Sequence, residues 1–429
     1  MRVLFFGDYP NRVGGAQKSL LAALERIGHH GIDAVLVFPA HGPFQELCAE
    51  RGIDVRVIEG ARSFNTFGKV LLNLSPADLL RVTASELAPY WVRLARFAKE
   101  IGAEAMHFNT PRGLLMAGPA VHLAGLGSVF HQRGTPGLGR TIWFLSQAVP
   151  DRIVIVSKTV YDYLAPSAHG RTRLVYNGID PPPPIDPGSA RLALVDRLNR
   201  AGFPINADEK LFASLSAIVP FKGIHHLVEG AKRAANHGVR PQYLLASAGT
   251  DEGYETWLKQ RIAEYGLTDR FHFIGLVDRI HELLSGVDAM LLTSIVGRET
   301  FTYDDTTVQL TGCEGLPRSI LESLAAGTPV IATDGGGVRE QIDQDSTGLI
   351  VPPANTVALG DAIIELASRE SCCRDSRARG PMVVKERFSI DQAARGLAET
   401  LLEVRKTPSL SERVPAMASL ISDAVRAAT

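Results

Sequence analysis

Short runs rich in Val, Ile, Leu and Phe alternate with longer segments of helical period along the whole chain, and few folds accommodate that alternation. A strand whose residues are apolar on both faces belongs in a parallel sheet covered by helices on each side. In the first half the strand candidates are 2–7, 33–38, 54–58, 103–108, 127–131, 151–156 and 173–177. In the second half 211–217, 242–248, 270–274, 288–293, 329–333 and 348–351 repeat the pattern, each followed by a turn or a helix start. Two doubly wound α/β units are therefore expected. The length of 429 residues agrees, because a single domain mostly runs to about 100–200 residues.

Asn177-Gly178-Ile179-Asp180 and the following Pro181 to Pro184 can be neither helix nor central strand, since each proline removes a backbone donor. A hinge is placed there. The expected division is residues 1–180, residues 181–387, and C-terminal helices over 388–429 whose first member packs back on the N-terminal domain. That member starts at Ser389-Ile390-Asp391 and carries Ala394, Leu397, Leu401 and Leu402 on one face. A weaker helical pattern occupies 409–427.

Charge and composition narrow the function. Lys and Arg number 45 against 46 Asp and Glu, so no net field draws nucleic acid or an anionic membrane, and an anionic ligand must be held locally. Cys48, Cys313, Cys372 and Cys373 show no CxxC spacing and the N-terminus has no signal-like apolar region, which points to the cytoplasm. No run approaches the ~20 apolar residues needed to cross a bilayer. Peripheral membrane contact stays open. The helical segment 68–101 interleaves Trp91, Leu94, Ala95 and Phe97 with Arg93, Arg96 and Lys99, a stripe that suits either a lipid surface or an ordinary solvated helix.

Ligands of open parallel sheets bind beyond the carboxyl ends of the strands, so the loops there hold the candidate residues. Gly14 and Gly15 open a helical run after the first strand, where bare amides and the helix dipole favour an anion, although a plain turn explains the pair equally well. Lys222 stands at a helix start in Ser216-Ala217-Ile218-Val219-Pro220-Phe221-Lys222-Gly223, against the macrodipole, and reads as a diphosphate clamp. The stretch from Cys313 to Gly327 puts Glu314 in a loop and Glu322 inside the short helix that follows. A carboxylate accepts two hydrogen bonds from a vicinal diol, so the pair suits ribose and a donor sugar, with Gly315, Leu316, Pro317, Arg318 and Ser319 lining the helix mouth.

These residues resemble the retaining glycosyltransferases of family 4. The resemblance rests on Gly14-Gly15-Ala16, Val175-Tyr176-Asn177-Gly178-Ile179-Asp180, Val219-Pro220-Phe221-Lys222-Gly223, the E-x7-E motif from Glu314 to Glu322, and Gly327-Thr328-Pro329 through Gly337. It implies the GT-B fold, two Rossmann-like domains facing a central cleft. It implies transfer, with retention, of a sugar from a UDP- or GDP-linked donor to a small-molecule, lipid-linked or oligosaccharide acceptor, with no metal and no further cofactor. By the same resemblance Glu322 corresponds to the ribose glutamate, Glu314 to the one near the donor sugar, Lys222 to the diphosphate lysine and His131 to the histidine near the transferred sugar. His131, Lys222 and Glu314 form the expected catalytic set.

Two features depart from the family pattern. Ala217 stands where an arginine is usual, leaving Arg12 or Arg318 to supply that contact. Residues 295–312 form an insertion before Glu314 and, with Arg298, Glu299, Tyr303, Asp304 and Asp305, read as an acceptor-side lid or a disordered loop. Metal ligands are not expected, because His29-His30 and His225-His226 are adjacent rather than four apart, and Asp343-Gln344-Asp345 reads as a polar turn. A non-catalytic nucleotide-sugar-binding subunit and a nucleotide-sugar epimerase are the alternative functions.

Overall fold

A computed structural model describes residues 1–404 apart from 12, 61–74, 76–77, 79–80, 135–139 and 248. The helical pattern at 409–427, the candidate Arg12 and much of the first half of segment 68–101 lie outside the described residues. The chain divides into two units, Met1–Gly178 together with the segment from Ile390 onward, and Ile179–Ser389.

In the first unit β1 (Arg2–Phe6), β2 (Asp33–Phe38), β3 (Asp54–Val57), β4 (Ala105–Phe108), β5 (Gly127–Gln132), β6 (Arg152–Ile155) and β7 (Thr172–Leu174) form one sheet in the order β3-β2-β1-β4-β5-β6-β7. Every neighbouring pair is parallel, with Val3 of β1 opposite Ala34 on one side and Ala105 on the other. β4 and β5 have no exposed residue, which is why their sequences show no polar alternation. Leu20, Leu24 and Ile27 of the helix Gly15–Ile27 share a core with Leu397 and Leu401 of the helix Ile390–Leu402, so the C-terminal helix completes this unit. Each such side chain contributes ~1.5–3 kcal/mol by leaving water.

The helix Ala88–Glu100 corrects the lipid-facing reading of its stripe. Leu94, Ala95 and Ala98 are buried, and Trp91 donates its indole N–H to the Met116 carbonyl on the helix Pro111–Ala124 at 2.6 Å. The indole is spent on an intramolecular acceptor, and Arg93 and Arg96 form the ordinary solvated face. Among the described residues no helix is long and apolar enough to cross a membrane.

The second unit contains β8 (Leu211–Leu215), β9 (Gln242–Ala246), β10 (Phe271–Gly275), β11 (Ala289–Leu292), β12 (Gly297–Tyr303), β13 (Thr306–Gly312), β14 (Val330–Thr333) and β15 (Gly348–Val351). Six of them make a parallel sheet in the order β10-β9-β8-β11-β14-β15, while β12 and β13 pair only with each other. The expected lid or disordered loop at 295–312 is thus an antiparallel hairpin. Its period-two pattern places Glu299, Phe301 and Tyr303 on one face, and that face packs on the unit: Phe301 stacks on His225 at 4.0 Å and meets Trp257 edge-on at 5.2 Å. The Tyr303 hydroxyl donates to Asp251 at 3.3 Å. Asp343-Gln344-Asp345 is a turn, with Asp343 bound by Arg379 at 3.2 Å and Arg387 at 2.7 Å and Asp345 at φ 65°.

Candidate active site

The strand order of each sheet reverses once, between β1 and β4 in the first unit and between β8 and β11 in the second. At such a point the loops leaving neighbouring strands run in opposite directions and open a crevice.

In the second unit that crevice gathers the expected residues. Lys222 ends a 3-10 turn, Pro220–Lys222, after β8, and its ammonium donates to Glu314 Oε1. Ser294, two residues beyond β11, donates to the same oxygen at 2.8 Å. Burial alone would raise the Glu314 carboxyl, but the Lys222 charge and the hydrogen bonds from Lys222 and Ser294 outweigh it and hold the group below the usual carboxylate range. Lys222 and Glu314 remain 24% and 20% exposed, enough to meet a ligand.

Backbone contacts fix this pair. Gly223 adopts φ 62°, and a Cβ there would lie 2.0 Å from the Thr293 carbonyl oxygen, so only glycine lets the Lys222 turn close on β11. The Thr293 hydroxyl donates to the Lys222 carbonyl at 3.1 Å, and the Ile295 amide donates to the Phe221 carbonyl at 2.9 Å. From the other side the Gly337 amide donates to the Gly315 carbonyl at 2.7 Å. Gly336 has φ 58° and approaches so closely that a Cβ would stand 1.7 Å from the Glu314 carbonyl oxygen.

The helix Arg318–Ala325 begins after Pro317, whose carbonyl accepts from Gln341 at 2.9 Å. Four residues apart on it, Arg318 Nε donates to Glu322 Oε1 at 2.8 Å. Both line a cavity of about 540 Å³ shared with Asp180, Pro183, Asp278 and His281. Arg318 thus holds Glu322 through Nε, and Ala217 brings no charge to the loop that precedes Lys222. Ser319 and Leu316 lie in the turn and first helical residues between the two glutamates.

The remaining expected residues belong to the first unit. Gly14 caps the helix that starts at Gly15, and its amide donates to Gln17 Oε1 at 3.3 Å. His131, in β5, is buried, and burial first, then Arg133 and His107, hold its imidazole neutral by pushing its pKa well below the ordinary value. Its Nδ1 lies 3.3 Å from an Arg133 nitrogen, while its buried Nε2 has no hydrogen-bond partner among the described residues. Arg133 also binds Asn109 and Asn177, each at 2.6 Å. Asp8 follows β1, accepts from the Thr110 hydroxyl at 2.6 Å, and is pushed up by burial to about 6 against the pull of Thr110 and Arg112. Neither Ser294 nor Asp8 belongs to a motif, yet each stands within two residues of a strand end at an order reversal, the position rule that singles them out.

Residues 195–381 match the family described as glycosyl transferases group 1. Among curated proteins the chain is 28% identical over 229 residues to the D-inositol 3-phosphate glycosyltransferase of Mycobacteroides abscessus, across 51% of this chain and 45% of that protein. It is 26% identical over 152 residues to the putative colanic acid biosynthesis glycosyltransferase WcaL of Escherichia coli K12, across 35% of this chain and 34% of the relative. The chain thus spans less than half the length of these curated relatives. Anabaena HepE solved in complex with UDP-glucose matches with a TM-score of 0.72 at 20% identity, over 94% of this chain and 100% of HepE. Sucrose-phosphate synthase of Thermosynechococcus elongatus matches with a TM-score of 0.71 at 17% identity, over 94% and 98% of the two chains.

The fold is GT-B. In this GT-B chain the family match contains Lys222, Glu314, Arg318 and Glu322, whereas His131, Gly14 and Gly15 lie outside the matched residues.

Proposed function

We propose that the protein is a retaining, family 4 type glycosyltransferase that moves a sugar from a UDP- or GDP-linked donor to an acceptor hydroxyl in the cytoplasm. The observation that carries this reading is the ion pair of Lys222 with Glu314 at the strand-order reversal of the second sheet, in the loop just before the helix that carries the Arg318–Glu322 pair. A lysine held by a carboxylate keeps two further N–H donors for phosphate oxygens, and with the amides of the loop it stabilises the diphosphate's charge without a divalent ion. Glu322, fixed by Arg318 on the cavity wall, accepts from the ribose diol. Glu314 and the Gly315–Ser319 loop orient the donor sugar and diphosphate.

In the transfer the bond from the anomeric carbon to the diphosphate oxygen breaks on one face of the sugar. The acceptor oxygen bonds to the anomeric carbon on that same face, and its proton passes to the departing diphosphate. Lys222 stabilises the charge that grows on the leaving oxygen. His131 is kept neutral, so its imidazole offers a hydrogen bond rather than a second positive charge to the transferred sugar. The acceptor is a small-molecule, lipid-linked or oligosaccharide alcohol, a range in keeping with relatives named for D-inositol 3-phosphate and for colanic acid biosynthesis.

The test is a panel of nucleoside diphosphate sugars scored by thermal shift and by release of nucleoside diphosphate. A donor that raises the melting temperature and is hydrolysed slowly without acceptor supports the transferase. Binding with no turnover under any acceptor mixture favours the non-catalytic subunit, and conversion of the donor sugar without release of the diphosphate favours the epimerase.

A further inference from the structure

The β12–β13 hairpin carries a side-chain cluster that the transfer reaction does not use. Glu299 projects from β12 between the rings of His225 and His226, the second and third residues of the helix Ile224–Asn236. His225 Nε2 lies 3.2 Å from Glu299 Oε1 and His226 Nε2 lies 3.1 Å from Glu299 Oε2. One donor atom from each of the three residues falls within 4.8 Å of the others. Adjacent histidines are a poor metal signature along a regular helix, but here a residue 73 positions further on closes the set.

We propose that His225, His226 and Glu299 form a Zn²⁺ site that clips the hairpin to the first turn of the Ile224–Asn236 helix. Two imidazoles and a carboxylate are the mixed N/O donor set that suits Zn²⁺ and gives Mg²⁺ little. A tetrahedral ion with bonds of about 2.0–2.2 Å sets neighbouring donors about 3.3–3.6 Å apart, so donors that lie within 4.8 Å of one another admit it with side-chain shifts of up to about an ångström. The His225 ring is already oriented: its Nδ1 lies 2.7 Å from the Tyr254 hydroxyl, which also accepts the His225 backbone N–H at 3.0 Å, and Phe301 stacks on its face. A hydrogen bond donated by the non-ligating ring N–H is the usual support of a zinc-bound histidine. Water completes the fourth position. The carboxylate also holds both rings by hydrogen bonds alone, so the hairpin stays seated without the ion and the proposal is independent of the transfer reaction.

The test is calorimetric titration of the tag-free, chelator-treated full chain with Zn²⁺ alone. One site per chain is expected, with no heat from Mg²⁺. Glu299→Gln and His226→Ala should each weaken Zn²⁺ binding by at least about 100-fold, and Tyr254→Phe by about 10–100-fold as a positioning residue. Co²⁺ added to the parent should give the visible absorption of a tetrahedral complex. Failure of the parent to bind Zn²⁺ would overturn the proposal, as would unchanged affinity in variants whose circular dichroism matches the parent. Should the variants unfold, the parent's Co²⁺ spectrum decides: a six-coordinate spectrum overturns the site, and a tetrahedral one supports it.

Discussion

Lys222 is held before any ligand arrives, and that determines what its loss does. Lys222→Ala should lower kcat on the order of 10²-fold or more while raising the donor KM less, because charge on the leaving oxygen peaks in the transition state. Steady-state kinetics with a fixed acceptor checks the split; an unchanged kcat would move the leaving-group role to another cation. Glu322→Gln should weaken donor binding by about 1–3 kcal/mol by calorimetry, the cost of a charge-assisted hydrogen bond, and should also release Arg318. Asp8 predicts a pH effect on stability. The folded protein holds its proton up to about pH 6, whereas an unfolded chain releases it near 3.8, so stability is full below the lower value and falls as pH rises through the upper one. Asp8→Asn should therefore be more stable than the parent at pH 7 by about 2–3 kcal/mol, with the gain vanishing in denaturant melts below about pH 4. At this scale the sequence exposes Lys222, Glu314 and Glu322 because a motif spaces them. Ser294 and Arg133 are silent in it, since their roles depend on which strand ends the sheet brings together.

Among the elements, two glycines govern the geometry of the crevice. Gly223→Ala meets both a left-handed backbone and the Thr293 carbonyl, and it should destabilise the protein by at least about 1–3 kcal/mol. Gly249→Ala, at a position with open space around its Cβ, is the control and should leave the melting temperature within a few degrees of the parent. The parallel strands are legible in the sequence because burial on both faces leaves an unbroken apolar run, as in Ala289–Leu292. The hairpin is not, since only its inner face is covered, and Thr300, Thr302 and Thr307 between the inward residues give it the polarity of a loop. Its strict alternation around Asp304-Asp305 is the signal that identifies it. Adjacent histidines likewise carry no ligand spacing until the hairpin folds back over them.

For the molecule as a whole, the proposed chemistry puts the neutralising charge in the protein, so turnover should persist in excess EDTA and gain nothing essential from Mg²⁺ or Mn²⁺. Loss on chelation with recovery by either ion would return the diphosphate to metal chemistry. The two doubly wound α/β units are legible from alternation, length and the proline segment together, and GT-B from the motifs that carry the resemblance, whereas a donor's base and sugar are not, because side chains brought together only by folding line the cavity. The hairpin has a practical use. Its root is pinned, by the Ile295–Phe221 hydrogen bond and by Val296 packed on Gly335, while its tip at Asp304-Asp305 is solvent-exposed. Chain added at the tip lengthens a ribbon whose open end cannot shift Glu314. An epitope, a fluorophore-bearing peptide or a fused domain inserted between Asp304 and Asp305 should thus leave the melting temperature within a few degrees of the parent, making this turn a permissive port for labelling the protein without touching either terminus.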